Sequence, residues 1–321
     1  SGLFANSLAN GTGDSVSLAV KSGATAHFNV GGTTAANEFE TINLASTGGV
    51  ANTVSTIEAS DSTVLTGVTT LNITGDTDLT VGAITVADTS TVNAATFTGD
   101  LTLTAVDNQT TITLGEGADT LDATVGILGT ANALKAVVGG LGDDTIKLSE
   151  NVSATTMNPT ASETDHSITG FETVEIVNTI ANADDADQAF SVDASEIADA
   201  TTFVATIDNN DTDSTDAASV TFTGLSATQS VQFTAQGDAQ TVNSVSVALD
   251  DATGANDEIT VTSANPTTAT DVNQLDVLTV SGAVEELKLV AAADDVSATD
   301  GTTVDDLDVG STATVTVSGA G

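Results

Sequence analysis

Gly115-Glu-Gly117-Ala-Asp119-Thr-Leu121 and, 25 residues on, Gly140-Leu-Gly142-Asp143-Asp144-Thr-Ile146 share one pattern. Glycine adopts left-handed backbone angles that a Cβ forbids, so the chain can reverse tightly and turn its carbonyl groups inward. The Asp adds charge to the turn, and the closing Leu or Ile enters a core and opens the next strand. Hard oxygen donors on a tight turn suit Ca2+, which takes about 6–8 oxygens. The candidate metal ligands are therefore Gly115, Gly117 and Asp119 on one turn, and Gly140, Gly142, Asp143 and Asp144 on the other. One such turn is half a site; two stacked turns complete it. The interval between Asp119 and Asp144 leaves room for one solenoid coil with a small insertion at 126–136. The plainer alternative is a β-turn with a solvated Asp. Asp14, in Gly11-Thr-Gly13-Asp14-Ser-Val16, and Asp257, in Gly254-Ala-Asn-Asp257-Glu-Ile259, lie in weaker versions of the turn. Neither has an evident partner.

A second motif recurs as Phe39-Glu-Thr-Ile-Asn-Leu44, Phe171-Glu-Thr-Val-Glu-Ile176 and Val284-Glu-Glu-Leu-Lys-Leu289. Asp144 to Phe171 and Asp257 to Val284 are each 27 positions, and Asp14 to Phe39 is 25. Two motifs that keep one spacing imply a repeat. The expected organisation is the end of one module at 1–36, β-repeat modules at 37–167 and 168–281, and the start of another at 282–321. The stretch 151–167 is the least regular and reads as a surface loop.

Short alternating stretches such as Thr41-Ile-Asn-Leu44, Leu101-Thr-Leu-Thr104 and Val220-Thr-Phe-Thr223 run the whole length, punctuated by Gly, Asp and Asn. These are strand and turn signals. Helical periodicity is weak, with the best windows at 129–138 and 193–200. The expected fold class is all-β, a β-solenoid or β-helix-like array of repeat modules with short strands, Gly/Asp turns and little helix; a chain of small β-sandwich-like units is the alternative. Thin stacked coils favour Val, Ile, Leu and Ala over large aromatics; the chain has nine Phe and no Trp or Tyr. Thr-x-Thr pairs such as Thr102/Thr104 and Thr111/Thr113 recur at irregular intervals, which suits exposed strand faces and not the constant array of an ice-binding surface.

Four Lys+Arg stand against 45 Asp+Glu, a formal charge of -41. Nothing here can neutralise nucleic-acid phosphates, and an anionic lipid surface is excluded unless a divalent cation bridges. Self-repulsion at this charge opposes compaction, so bound Ca2+ is the expected cofactor. A disordered acidic segment is the alternative, but the mean hydropathy of +0.15 and the alternation oppose it. No apolar run spans a bilayer, so no transmembrane segment is expected. The chain opens in mid-pattern and reads as a segment of something longer.

Gly139-Gly-Leu-Gly-Asp-Asp-Thr-Ile146 resembles the nonapeptide of RTX-type calcium-binding proteins. Leu71-Asn-Ile-Thr-Gly-Asp76, Val92–Thr104 and Gly170-Phe-Glu-Thr-Val-Glu-Ile176 are similar to repeats in type I-secreted bacterial S-layer proteins. The resemblance implies an extracellular, cell-surface β-solenoid that is exported without a cleaved signal and assembles in calcium. Leu114 stands where the first glycine of the pattern belongs and Ala255 replaces another. No long tandem run of nonapeptides occurs either. Scattered ion sites in a divergent solenoid are therefore expected, not a regular calcium roll.

No enzyme is expected. Solenoid lyases need a cationic base near a metal, and the chain has no Arg and only scattered Lys; solenoid hydrolases need aromatic sugar platforms, and Trp and Tyr are missing. His27 and His166 lie far apart and read as surface residues. Asp208 to Asp216 resembles an EF-hand loop in outline but lacks its central glycine and closing Glu, so it reads as a solvated loop, with a loose ion site as the alternative; Asp76/Asp78, Asp294/Asp295 and Asp305/Asp306/Asp308 read as surface turns with the same alternative. The expected function is a structural protein that binds copies of itself in a calcium-dependent surface layer or sheath, with cell-surface polysaccharide as a further candidate partner. The alternative is the repeat stalk of a large adhesin or matrix filament.

Overall fold

Alternation at period two becomes strands buried on one face: Thr41–Thr47 runs half-buried, buried, half-buried, with Ile42 and Leu44 fully enclosed. The computed structural model describes residues 13–30, 39–58, 67–84, 91–104, 111–124, 136–152, 167–180, 187–197, 199–209, 217–237, 242–250, 257–263, 273–282, 284–291, 302–309 and 314–319. It is an all-β solenoid built from parallel sheets, with almost no helix. The chain divides into two units, residues 1–148 with 155–172, and residues 149–154 with 173–321.

In the first unit, β1 (Ser15–Lys21), β3 (Thr41–Thr47), β5 (Thr70–Gly75), β7 (Thr91–Phe97), β9 (Thr111–Thr113), β11 (Ala136–Val138) and β13 (Ser167–Thr169) form one sheet in that order. Facing it are β2 (Thr25–Asn29), β4 (Asn52–Glu58), β6 (Leu79–Ile84), β8 (Leu101–Leu103), β10 (Thr120–Ala123) and β12 (Thr145–Leu148). Each strand pairs in parallel with the next but one, so a coil is one strand from each sheet. The second unit follows the same rule. One sheet is β14 (Thr173–Ile180), β16 (Thr202–Asn209), β18 (Ser230–Gly237), β20 (Glu258–Ser263), β22 (Glu286–Ala291) and β24 (Thr314–Gly319). The other is β15 (Gln188–Asp193), β17 (Ala217–Leu225), β19 (Val242–Leu249), β21 (Asn273–Ser281) and β23 (Thr302–Asp308).

Register stacks like on like. Ile42, Leu71, Val92, Ile112, Val137 and Ile168 form one inward rank across the first unit, and all are at most 3% exposed. Each such side chain contributes about 1.5–3 kcal/mol by leaving water. Thr25, Thr53, Thr80, Thr102, Thr120 and Thr145 form an outward rank on the opposite sheet. The irregular sequence intervals between threonines are thus absorbed between strands, while the spatial rank stays regular.

Three expectations need correction. Large aromatics do fit: Phe97, Phe171, Phe203, Phe222 and Phe233 are all fully buried, and the Phe203 and Phe222 rings meet at 5.6 Å between centroids. Of the window at 129–138, the described part is strand β11; that at 193–200 holds one 3-10 turn, Ala194–Ile197, where Asp193 Oδ1 accepts from Ser195 N and Oγ. Asp305, Asp306 and Asp308 lie on strand β23, not on a turn. Asp76 and Asp78 flank a turn and are exposed, as expected. His27 is half-exposed on β2, its Nε2 against Glu58 Oε1 and Asn29 Oδ1. His166, Asp294, Asp295, most of 151–167 and residues 210–216 of the acidic loop lie outside the described residues.

Candidate functional site: the carboxylate turns

The glycine–aspartate turns lie on successive coils, because Thr120 and Leu121 pair with Thr145 and Ile146. The turns stack backbone on backbone. Gly140 and Gly142 have φ of +120° and +137°, and a Cβ on either would strike the carbonyl of Gly115 or Gly117 beneath it. These glycines are required by close approach as well as by conformation.

The aspartates point into this stack. Asp119 is 1% exposed and Asp144 is 0% exposed. Asp119 Oδ2 accepts from Gly115 N at 2.8 Å and its Oδ1 from Leu101 N at 2.8 Å. Asp144 Oδ1 accepts from Asp119 N at 2.8 Å. The expected pair is therefore brought together, through one carboxylate and the other's backbone. Above them, Asp144 N donates to Glu172 Oε2 at 2.7 Å. Below them, Ala118 N donates to Asp100 Oδ1 and Asp100 N to Asp78 Oδ1. A row of carboxylates thus receives the amides of neighbouring coils along one corner of the first unit. Asp143 stands exposed beside it.

Asp14 and Asp257 sit on turns of their own, and each has a partner. Asp14 N donates to Glu40 Oε2 at 2.7 Å, and Asp257 N to Glu285 Oε2 at 2.9 Å. In return, Glu40 N donates to the Asp14 carbonyl and Glu285 N to that of Asp257. The two sequence motifs keep one spacing because they touch: Asp–Glu separations of 26, 28 and 28 residues are one coil. Phe39, Phe171 and Val284, each just before its Glu, are buried and anchor it. Glu40, Glu172 and Glu285 are the residues that sequence reasoning passed over as site members. The constant offset was the signal for them.

Burial pushes Asp144 up to about 6; the Asp119 amide opposes this, while the carboxylates of Asp119, Glu172 and Asp143 reinforce it. Burial also raises Asp119, against the Gly115 and Leu101 amides that favour its charged form. Asp144 Oδ2 and Asp257 Oδ2 are buried and accept no hydrogen bond. Among the described residues, no three His, Asp or Glu side chains converge closely enough to hold a metal ion.

The Glu172 clasp gives a direct test. Glu172→Ala strands the Asp144 amide, which costs about 1–3 kcal/mol. At about 2–4 °C per kcal/mol for a unit of this size, the melting temperature should fall by several degrees, and Glu172→Gln, which keeps an acceptor oxygen, should recover most of the loss. Equal melting of Glu172→Ala and the parent would show that this clasp does not hold the coil.

Compared with protein-family models, curated proteins and solved structures, the chain matches none.

Proposed function

We propose that this chain is a structural, non-enzymatic protein of the cell exterior, whose copies assemble side by side into a surface layer or sheath when calcium is present. The observation that carries this reading is the buried, unpartnered Oδ2 of Asp144 within a row of stacked carboxylates, on a chain of net charge -41. A buried carboxylate oxygen without a hydrogen bond is costly, and a cation or a proton relieves it. Metal bound there contributes to folding free energy.

The donor set is compatible with calcium in one specific way. Among the described residues no three side-chain carboxylates converge on a point, so an ion beside Asp144 Oδ2 would draw further oxygens from backbone carbonyls of the glycine turns. Asp257 Oδ2 is the corresponding atom at the turn clasped by Glu285. The ion would supply positive charge; the chain's own residues do the rest, holding the turns in register through Asp119, Asp144 and Glu172.

Extracellular modules bind calcium at about 10⁻⁴–10⁻³ M. The protein should stay monomeric in chelator and form ordered sheets, tubes or filaments in millimolar calcium. Sodium chloride of equal ionic strength should not substitute, because screening cannot coordinate two carboxylates at once. Light scattering and negative-stain imaging across a calcium titration test this. A monodisperse monomer at several millimolar calcium would end the lattice reading and leave the repeat stalk of an adhesin.

A further inference from the structure

The seven-stranded sheet of the first unit carries no acidic residue. None of β1, β3, β5, β7, β9, β11 and β13 contains Asp or Glu, and Lys21, at the end of β1, is their only charged side chain. This is so in a chain where 45 of 321 residues are acidic. The other sheets are not so clean: they carry Glu58, Asp122, Glu175, Asp208, Glu258 and Glu286, among others. Outward positions on the neutral sheet are Thr, Asn, Ser and Ala in register. Thr41, Thr70, Thr91 and Thr111 form one column, and Asn43, Asn72, Asn93 and Thr113 the next. Asn72 Nδ2 donates to Asn43 Oδ1 at 2.9 Å, so the amides bridge coils.

We infer that this face is where two copies of the chain meet, a conclusion that rests on the self-assembly reading above and names its interface. Two bodies of charge -41 repel wherever carboxylates face carboxylates, and like charges set opposite each other cost several kcal/mol at an interface. The neutral sheet is the place where a second copy approaches without that cost, and its hydroxyls and amides offer donors and acceptors to their own kind. Seven strands at about 4.8 Å and a few residues of width at about 3.3 Å give roughly 500–600 Å². That is below the about 800 Å² per partner of a stable pair. The contact is weak as an isolated dimer and holds only where an array repeats it.

The test introduces charge on this face and on a control face. Asn93 and Thr74 are exposed on β7 and β5, and Asn93 Oδ1 accepts only the local Ala95 amide, which a carboxylate would still accept. Asn93→Asp with Thr74→Asp should raise the protein concentration needed for assembly in calcium by about tenfold or more. Thr25→Asp with Thr80→Asp adds the same charge to exposed positions on the opposite sheet and should leave it within about twofold. Circular dichroism melts confirm that each variant is folded. The chain has no cysteine, so a second measurement is clean. Asn93→Cys should give dimers with a short bismaleimide in calcium and monomers in chelator, while Thr80→Cys should give monomers in both. Should the parent fail to assemble, the self-assembly reading falls. Should the parent assemble and the Asn93/Thr74 variant assemble as readily, self-assembly stands and the copy-to-copy role of this face is overturned, leaving it to another occupant such as a neutral polysaccharide. Loss of assembly in both charge variants would also overturn it, since the effect would then be one of total charge.

Discussion

In chelator, the protein should unfold at a higher temperature at about pH 5 than at about pH 7.5, the reverse of ordinary acid sensitivity. Asp144 is held at about 6 in the folded chain, against 3.8 for the free side chain, chiefly by burial. The sign follows from proton counting. Between those two values the folded state binds more protons than the unfolded state, so stability falls as pH rises. The penalty is absent below the lower value and complete above the upper one. The whole shift is on the order of 3 kcal/mol; about half of it, roughly 1.4 kcal/mol, falls between pH about 5 and about 7.5, or about 3–6 °C of melting temperature for a unit of this size. Asp119 shifts in the same direction. General repulsion among the other carboxylates also weakens in acid, so Asp144→Asn is the discriminating variant. It keeps an oxygen for the Asp119 amide and removes the charge, and it should flatten the slope between pH about 4 and about 7. Saturating calcium should flatten it too, because an ion beside Asp144 Oδ2 balances the charge that burial disfavours. A melting temperature equal at both pH values, or a slope that survives Asp144→Asn, would remove Asp144 as the buried charge of this corner.

The solenoid was legible because two local signals agree with each other. Period-two alternation in Thr-Ile-Asn-Leu and Leu-Thr-Leu-Thr marks strands, and glycine–aspartate turns mark the ends of coils. The 25-residue step from Asp119 to Asp144 is one coil in the structure. The carboxylate partners were not legible in the same way. Glu40, Glu172 and Glu285 look like ordinary strand-flanking acids, and only adjacency of coils places each against an aspartate amide. The buried phenylalanines were misjudged because composition reports how many there are, not which face they occupy; in one sheet Phe203 stands opposite Val231 and Phe233 opposite Ala205, and all four are buried. Asp305, Asp306 and Asp308 were misread because three acids in four residues look like a loop until strand pairing with β21 fixes them. The neutral sheet escaped notice for a related reason: its strands are scattered through the first half of the chain, and their common lack of charge shows only when parallel pairing gathers them.

Gly75→Ala should be among the most damaging single substitutions in the first unit, and a series of glycine variants separates the causes. Gly75 ends β5 with φ of +127°, and a Cβ there would fall on the carbonyl oxygen of Ser46 and within 2.8 Å of its carbonyl carbon. Ser46 cannot move aside cheaply. It is fully buried, its Oγ donates to the Thr77 carbonyl and accepts from Asn52 Nδ2, and Asn52 Oδ1 in turn receives the Gly23 and Ala24 amides. Displacing the Ser46 carbonyl therefore disturbs a polar network that ties three coils at one corner, where each stranded buried group costs about 1–3 kcal/mol. With backbone strain added, the expected loss is about 3–5 kcal/mol, or ten degrees or more of melting temperature. Gly49 also has a left-handed φ, +72°, but nothing stands within 4 Å of its missing Cβ. Gly49→Ala should cost only the conformational strain, about 1–2 kcal/mol. Gly13 has neither a left-handed φ nor a close neighbour, and Gly13→Ala should change stability by no more than about 0.5 kcal/mol. Thermal melts of the three variants in one buffer test the order. If Gly49→Ala proves as damaging as Gly75→Ala, conformation alone governs these turns, and the close stacking of coil on coil is not what makes glycine necessary there.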